Sequence, residues 1–210
     1  MALHCTQPLR APQSERGFDL YETPPCATRA LLHFERDRMP RRIWEPACGP
    51  GAISRLLEAG GFEVWSSDLF DYGYPGAVSG LDFLTVDKTH PIAKAADGIV
   101  TNPPFYLAAR SAPFVARALE IALYVALLLR LPFLEGAGAE RLKLTSGVAR
   151  VYVASRRLPM MHRDGWDGPR ANSAMAFAWF VWDARHRGPG QLGFFDWKQF
   201  AHSDGEAGAL

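Results

Sequence analysis

Residues 42–68 read RIWEPACGPGAISRLLEAGGFEVWSSD, and the fold is decided there. Arg42–Glu45 has the composition of a short strand. It runs into the turn Pro46-Ala47-Cys48-Gly49-Pro50-Gly51. Ala52–Ala59 then shows helical spacing and is stopped by Gly60 and Gly61, the residue type that ends helices most readily. Phe62–Ser66 reads as a second strand that ends near Asp68. Strand, glycine turn, helix and strand in this order form the building unit of a parallel α/β sheet.

In such sheets ligands bind outside the carboxyl ends of the strands. A glycine turn at that place lets a ligand approach the backbone closely. Asp68, about 20 residues beyond the turn, is placed to accept both hydroxyls of a ribose, as the acidic residue of dinucleotide folds does. A nicotinamide cofactor fits the turn poorly. The motif G-x-G-x-x-G needs a third glycine beneath a pyrophosphate, and Ser54 stands at that spacing. S-adenosylmethionine carries no pyrophosphate and makes no such demand.

Outward from this unit the rhythm continues. A helix begins near Pro24–Pro25 and carries Ala27, Leu31 and Leu32 on one face. Leu81–Leu84 reads as a brief strand, Gly98–Thr101 as the next strand, and Ala108–Glu120 as a helix. Ile121–Leu129 is wholly apolar, as expected of a central strand covered on both faces. Val148–Ala154 and Ala176–Trp182 are strand-like with no helical pattern between them, so they are expected to pair antiparallel. The reading is one α/β catalytic domain over residues 19–184. A loose arm over 1–18 precedes it and an irregular tail over 185–210 follows.

The sharpest chemical signal is Asn102-Pro103-Pro104-Phe105, directly after Gly98–Thr101. Two prolines fix φ and cannot continue a sheet, so the chain is held rigidly at the strand's carboxyl end. An aryl amine is a poor nucleophile because its lone pair is delocalised into the ring. The Asn102 side-chain oxygen and the Pro103 carbonyl can each accept one of its N–H bonds, which pyramidalises the nitrogen and aims its lone pair. Phe105 can stack on a flat target, and its π face suits a nearby sulfonium.

The succession EPACGPG, Asp68, Asp82-Phe83 and NPPF resembles class I S-adenosylmethionine-dependent methyltransferases of the amino-methylating group, with DNA adenine-N6 methyltransferases as the nearest likeness. The resemblance covers residues 20–183. It implies a Rossmann-like, mainly parallel sheet with an antiparallel strand pair at the C-terminal end. It further implies that Asn102, Pro103, Pro104 and Phe105 are catalytic. Cofactor contacts are implied for Glu45, Ala47, Gly49, Gly51, Asp68, Leu69, Asp82, Phe83 and Asn102. Tyr21-Glu22-Thr23-Pro24 is similar to the family's aromatic-x-Thr-Pro motif, which adds Tyr21, Thr23 and Pro24. For Asp82 a plain solvated carboxylate is an equal alternative. NPPF is specific for the chemistry but not for the substrate, since ribosomal-RNA adenine and protein-glutamine methyltransferases carry similar motifs. Only 44 residues precede Glu45, short of the helical substrate domain of the glutamine enzymes. A catalytically silent partner subunit is the remaining alternative, opposed by the intact motifs.

Target contacts are expected in Leu158–Asn172, LPMMHRDGWDGPRAN. Trp166 is the candidate to pack on a flipped base, or else covers the sheet edge. Arg156, Arg157, Arg163 and Arg170 are candidates for phosphate. His162 reads as a solvated loop residue, and Phe177, Trp179, Phe180 and Trp182 as strand core. Residues 141–170 hold seven Lys/Arg against two Asp, whereas the rest of the chain has sixteen Lys/Arg against twenty Asp/Glu. Such a segment can contact phosphate or be a solvated face. With net charge only +1 the molecule is no polycation. Cys5, Cys26 and Cys48 are odd in number and widely spaced, against a disulfide framework or zinc site. The amino terminus has no apolar signal core, and Ile121–Leu129 is too short to span a bilayer. A cytoplasmic enzyme without metal is the expectation, acting on nucleic acid. No separate target-recognition domain is expected, so recognition falls to short loops, to a partner subunit or to a homo-oligomer.

Overall fold

The computed structural model describes residues 20–104, 111–135, 139–160 and 175–201. The expected arm over 1–18 lies outside them. Five helices are seen: α1 (Pro25–Glu35), α2 (Ser54–Ala59), α3 (Pro91–Ala95), α4 (Ser111–Ile121) and α5 (Ala139–Ser146). The strands are β1 (Arg42–Glu45), β2 (Glu63–Asp68), β3 (Val78–Ser79), β4 (Gly98–Thr101), β5 (Tyr124–Arg130), β6 (Arg150–Ala154), β7 (Phe177–Asp183) and β8 (Gln191–Phe195). They form one sheet in the order β3-β2-β1-β4-β5-β7-β6-β8.

Every pairing from β3 to β5 is parallel, and β7 runs antiparallel to both β5 and β6. This is the α/β, mainly parallel architecture read from the sequence. The antiparallel pair, however, does not form the edge. β7 is inserted between β5 and β6, and β8 lies outside β6, parallel to it.

Alternation along the strands sorts the core onto two faces. Val125, Leu127 and Leu129 of β5 face one side with Phe180 and Trp182 of β7. Ala126 and Leu128 face the other with Trp179, Val181 and α1's Leu31. Both faces are covered, which is why residues 124–129 can be apolar throughout. The indole Nε1–H of Trp179 donates to the Ala27 carbonyl at 2.8 Å, and that of Trp182 to the Leu144 carbonyl at 2.9 Å.

Three expectations need correction. Leu81–Leu84 is not a strand: Phe83–Thr85 is a 3-10 turn, because the Asp82 carboxylate accepts the Leu84 N–H at 3.0 Å and caps it. Ile121 closes α4 instead of opening β5. The tail is not irregular throughout, since Gln191–Phe195 adds the edge strand β8 and Trp197–Phe200 makes a 3-10 turn against α1. These elements are short and owe their form to neighbours that no local pattern reveals.

At the other end of α1 from its proline start, Glu35 is fully buried. Its Oε1 accepts from Arg150 Nε and the Tyr152 hydroxyl, both at 2.6 Å. Its Oε2 accepts from Arg150 Nη2 and the Tyr124 hydroxyl, both at 3.0 Å. Arg150 Nη2 also reaches Asp183 Oδ2 at 3.0 Å. Burial opposes the Arg150 charge, and its two carboxylate partners outweigh that, so its pKa rises. One cation of the basic segment is therefore core, tying α1 to β5, β6 and β7.

Candidate active site

The strand order reverses direction beside β1: β2 and β3 lie on one side of it, β4 and β5 on the other. The crevice at such a switch point is the place where this architecture binds ligands. The glycine turn follows β1 and Asn102 follows β4, so the two sharpest sequence motifs meet there.

The turn is built from backbone bonds and two left-handed glycines. Gly49 has φ 52° and Gly51 φ 85°, conformations that disfavour a side chain. Gly51 N–H donates to the Cys48 carbonyl at 2.8 Å, and Cys48 N–H to the Ser67 carbonyl at 3.0 Å. The Asp68 carboxylate holds the turn from β2: Oδ2 accepts the Gly49 N–H at 2.9 Å and Oδ1 the Phe70 N–H at 3.1 Å. Burial raises the Asp68 pKa, and these N–H bonds act against the rise. Each oxygen keeps a lone-pair direction beyond the one its N–H uses. Leu69, next in the chain, is 45% exposed beside it.

Glu45 sits beneath the turn and not in the crevice. It is 1% exposed, and its Oε2 accepts the Ser54 hydroxyl, which also bonds the Ser66 hydroxyl at 2.6 Å. Burial pushes the Glu45 carboxyl well above the usual range, against the Ser54 hydrogen bonds. Ser54, whose place a third glycine takes in dinucleotide folds, thus serves as the partner of this buried acid. The Cys48 thiol is pushed up to about 12 by burial and by Glu45 and Asp68, so it is inert.

Two segments distant in sequence close around the turn, residues 20–21 and 101–102. Leu20 packs on Gly49, where an added Cβ would come within 3.1 Å of its side chain. Thr101 Oγ1 reaches the Ala47 carbonyl at 3.5 Å. Asn102 Nδ2 donates to the Tyr21 carbonyl at 3.0 Å. That bond fixes the amide, and Asn102 Oδ1 is left buried with no hydrogen-bond partner among the described residues. Buried polar atoms are nearly always paired, so an orphaned acceptor marks a place prepared for a donor. Thr23 and Pro24, close after Tyr21 in sequence, are buried, as is Pro103 next to Asn102, and Pro104 is exposed.

Other candidates fall differently. Phe83 is a core ring, 4.4 Å from Phe114 and 5.2 Å from Trp44 between centroids, not an open face. Asp82 spends one carboxylate oxygen on its cap. Arg156 pairs with Asp196 at 2.7 Å, and the Arg157 carbonyl accepts from Trp197 Nε1 at 2.9 Å. Phe105, His162, Arg163, Trp166 and Arg170 lie outside the described residues. Phe177, Trp179, Phe180 and Trp182 are buried strand core, as read. Tyr74, which the sequence did not single out, lies directly over the glycine turn. Its ring fills the place that a Cβ on Gly51 would take. Among the described residues no group of His, Cys, Asp or Glu is arranged to hold a metal, and no helix is long and apolar enough to cross a membrane.

The sheet order is that of the Rossmann-like fold of class I S-adenosylmethionine-dependent methyltransferases, and the chain has that fold. No family model and no curated protein matches the sequence. Solved structures do. A Pyrococcus horikoshii protein assigned as an RNA methyltransferase is similar at TM-score 0.56 and 14% identity, over 83% of this chain and 90% of that one. A modification subunit assigned to a type I restriction enzyme of Vibrio vulnificus is similar at TM-score 0.58 and 10% identity, over 87% of this chain and 48% of that one. The methyltransferase subunit of a type I restriction-modification system from Streptococcus thermophilus is similar at 0.51 and 15%, over 89% and 47%. The chain thus spans about half the length of these two subunits.

Proposed function

We propose that the protein is an S-adenosylmethionine-dependent methyltransferase of planar amino nitrogens, with N6 of adenine in DNA as its target. The observation that carries this reading is the buried Oδ1 of Asn102 at the carboxyl end of β4, which has no partner among the described residues. Bound at the glycine turn, S-adenosylmethionine supplies an electrophilic methyl group. The residues present fit it: a carboxylate at the end of β2, an exposed leucine next to it, and the Asn102 acceptor at the end of β4.

Each residue then has a task. Asp68 accepts the ribose hydroxyls while its other lone pairs hold Gly49 and Phe70. Leu69 covers the adenine face, and Asp82 meets its amine with the oxygen the cap leaves free. Tyr21, Thr23 and Pro24 line the opposite wall. Glu45 acts on the turn from below. Asn102 Oδ1 takes one N–H of the target amine and the Pro103 carbonyl takes the other, so the lone pair localises and points at the methyl carbon. The nitrogen bonds the methyl carbon as the carbon–sulfur bond breaks, its electron pair staying on sulfur to leave a neutral thioether, and the alkylated nitrogen then releases a proton to water, since alkylation makes that proton acidic. Stacking on the target falls to Phe105 and Trp166, and phosphate contact to Arg156, Arg157, Arg163 and Arg170.

Nucleic acid is favoured over a protein substrate because two of the similar structures are subunits of restriction-modification enzymes. A partner subunit that reads the target sequence is favoured on the same ground. The test is single-turnover transfer of a labelled methyl group to DNA and RNA, with mass spectrometry of the nucleosides. Asn102→Ala is expected to bind S-adenosylmethionine nearly as the wild type and to lose transfer by about a hundredfold, the scale for one preorganised polar contact. Full turnover by that variant would sink the assignment. Label in RNA alone would move the substrate to RNA.

A further inference from the structure

We infer that Tyr74 is a positioning residue for the cofactor site, one that presses the β2–β3 loop onto the glycine turn and thereby sets Asp68 and Leu69. The inference rests on the methyltransferase reading and deepens it.

The Tyr74 ring touches three points on one stripe of α2 and its leading turn. A Cβ on Gly51 would lie 2.4 Å from ring carbons, so residue 51 is glycine on account of this ring as well as its φ of 85°. The guanidinium carbon of Arg55 sits 4.8 Å from the ring centroid. The hydroxyl donates between the two oxygens of Glu58, at 3.0 and 3.1 Å. Gly51, Arg55 and Glu58 share a helical face by their spacing, and Arg55 N–H already bonds the Gly51 carbonyl at 3.1 Å. Burial, with the Glu58 carboxylate behind it, pushes the Tyr74 phenol up to about 12, so it keeps its proton and stays a donor at neutral pH.

Within the loop the Gly73 N–H bonds Asp71 Oδ1 at 2.8 Å, the Ala77 N–H bonds the Tyr74 carbonyl at 3.1 Å, and Phe70 meets Tyr72 edge-on; the ring of Tyr74 is what joins it to α2. Gly73 (φ 73°) and Gly76 (φ 83°) flank the tyrosine and are the two most permissive hinges a chain can carry. Only Leu69 to Gly73 separate Asp68 from Tyr74. Within that span Phe70 supplies the N–H that holds Asp68 Oδ1, and Leu69 lies exposed beside the acid. Removing the ring frees the loop to swing about its glycines, and the Phe70 N–H and the Leu69 side chain leave with it. The ring itself, not its hydroxyl, makes the contact with Gly51, so phenylalanine should serve nearly as well.

The experiment measures cofactor affinity by calorimetry and steady-state methyl transfer for the wild type, Tyr74→Phe, Tyr74→Leu and Tyr74→Ala, each checked for folding by its thermal transition. Tyr74→Ala and Tyr74→Leu are expected to raise Kd and KM for S-adenosylmethionine about tenfold or more and leave kcat within about twofold, the signature of lost ground-state binding. Tyr74→Phe is expected to stay within about threefold of wild type in both. A folded Tyr74→Ala or Tyr74→Leu protein with wild-type affinity overturns the inference. So does an equal loss in kcat, or a Tyr74→Phe protein as impaired as Tyr74→Ala. A wild-type protein that binds no S-adenosylmethionine instead overturns the methyltransferase reading itself, so the two failures are told apart in one set of titrations.

Discussion

Glu35→Gln isolates what the buried carboxylate contributes, because it keeps the volume and removes the charge. Whichever way the new amide turns, its NH2 group faces one guanidinium N–H and one phenol. On the Oε1 side these are Arg150 Nε and Tyr152; on the Oε2 side they are Arg150 Nη2 and Tyr124. A phenol can rotate and accept from the amide, but a guanidinium has no acceptor, so one charge-assisted hydrogen bond is lost in either orientation. Such a bond is worth about 1.5–3 kcal/mol. Breaking a buried ion pair outright costs about 3–5 kcal/mol. Arg150 keeps Asp183 at 3.0 Å, so the lower end applies and a loss of about 3 kcal/mol is expected. Equilibrium unfolding in urea at pH 7 measures it. Arg150→Met and the double variant complete a cycle, in which the pair should cost less than the sum of the singles by about 2 kcal/mol. A loss below about 1 kcal/mol for Glu35→Gln, or strict additivity, would refute the idea that this charge pair secures α1.

Three further outcomes are expected. Glu45 has its carboxyl raised by burial when folded, so the folded state binds the extra proton; stability should be full below about pH 4.5 and fall as pH rises through the folded value. Glu45→Gln should flatten that slope and be the more stable protein at pH 8, measured by urea unfolding across pH. Asp68→Ala should weaken S-adenosylmethionine by about 1–3 kcal/mol in calorimetry, the scale of lost charge-assisted bonds, and unchanged affinity in a folded variant would remove it from the site. DNA binding should weaken steeply with salt, and Arg157→Ala together with Arg163→Ala should flatten the slope; a slope that survives both leaves the segment a solvated face.

The elements legible in the sequence were those whose own residues settle them. β1, the glycine turn and β2 follow from apolar alternation and glycine placement, and the residues around Asn102 from two consecutive prolines. What escaped depended on distant partners. Arg150 looks like one more cation in a basic segment, and its burial is settled by Glu35, 115 positions earlier. Asp82-Phe83 suggested a strand with a ligand face, yet the carboxylate caps its own turn and the ring joins Trp44 and Phe114. β8 carries Gly193 and two exposed apolar residues, Leu192 and Phe194, and exists because β6 offers it an edge. Tyr74 gave no signal, because its importance lies in the empty place at Gly51.

The insertion of β7 between β5 and β6 sets a waiting time during synthesis. β5 is complete at Arg130, but the strand that pairs along its far side begins only at Phe177. At the roughly 5–20 residues per second of translation, about fifty residues of delay is several seconds. Throughout them the nascent chain carries Tyr-Val-Ala-Leu-Leu-Leu with one row of backbone donors and acceptors unpaired, the kind of edge that recruits other chains. Glu35 waits more than twice as long for Arg150, 115 positions later. Chains that stop short of residue 183 should therefore collect in the insoluble fraction, and the yield of this protein should respond to holdase chaperones that bind extended apolar segments.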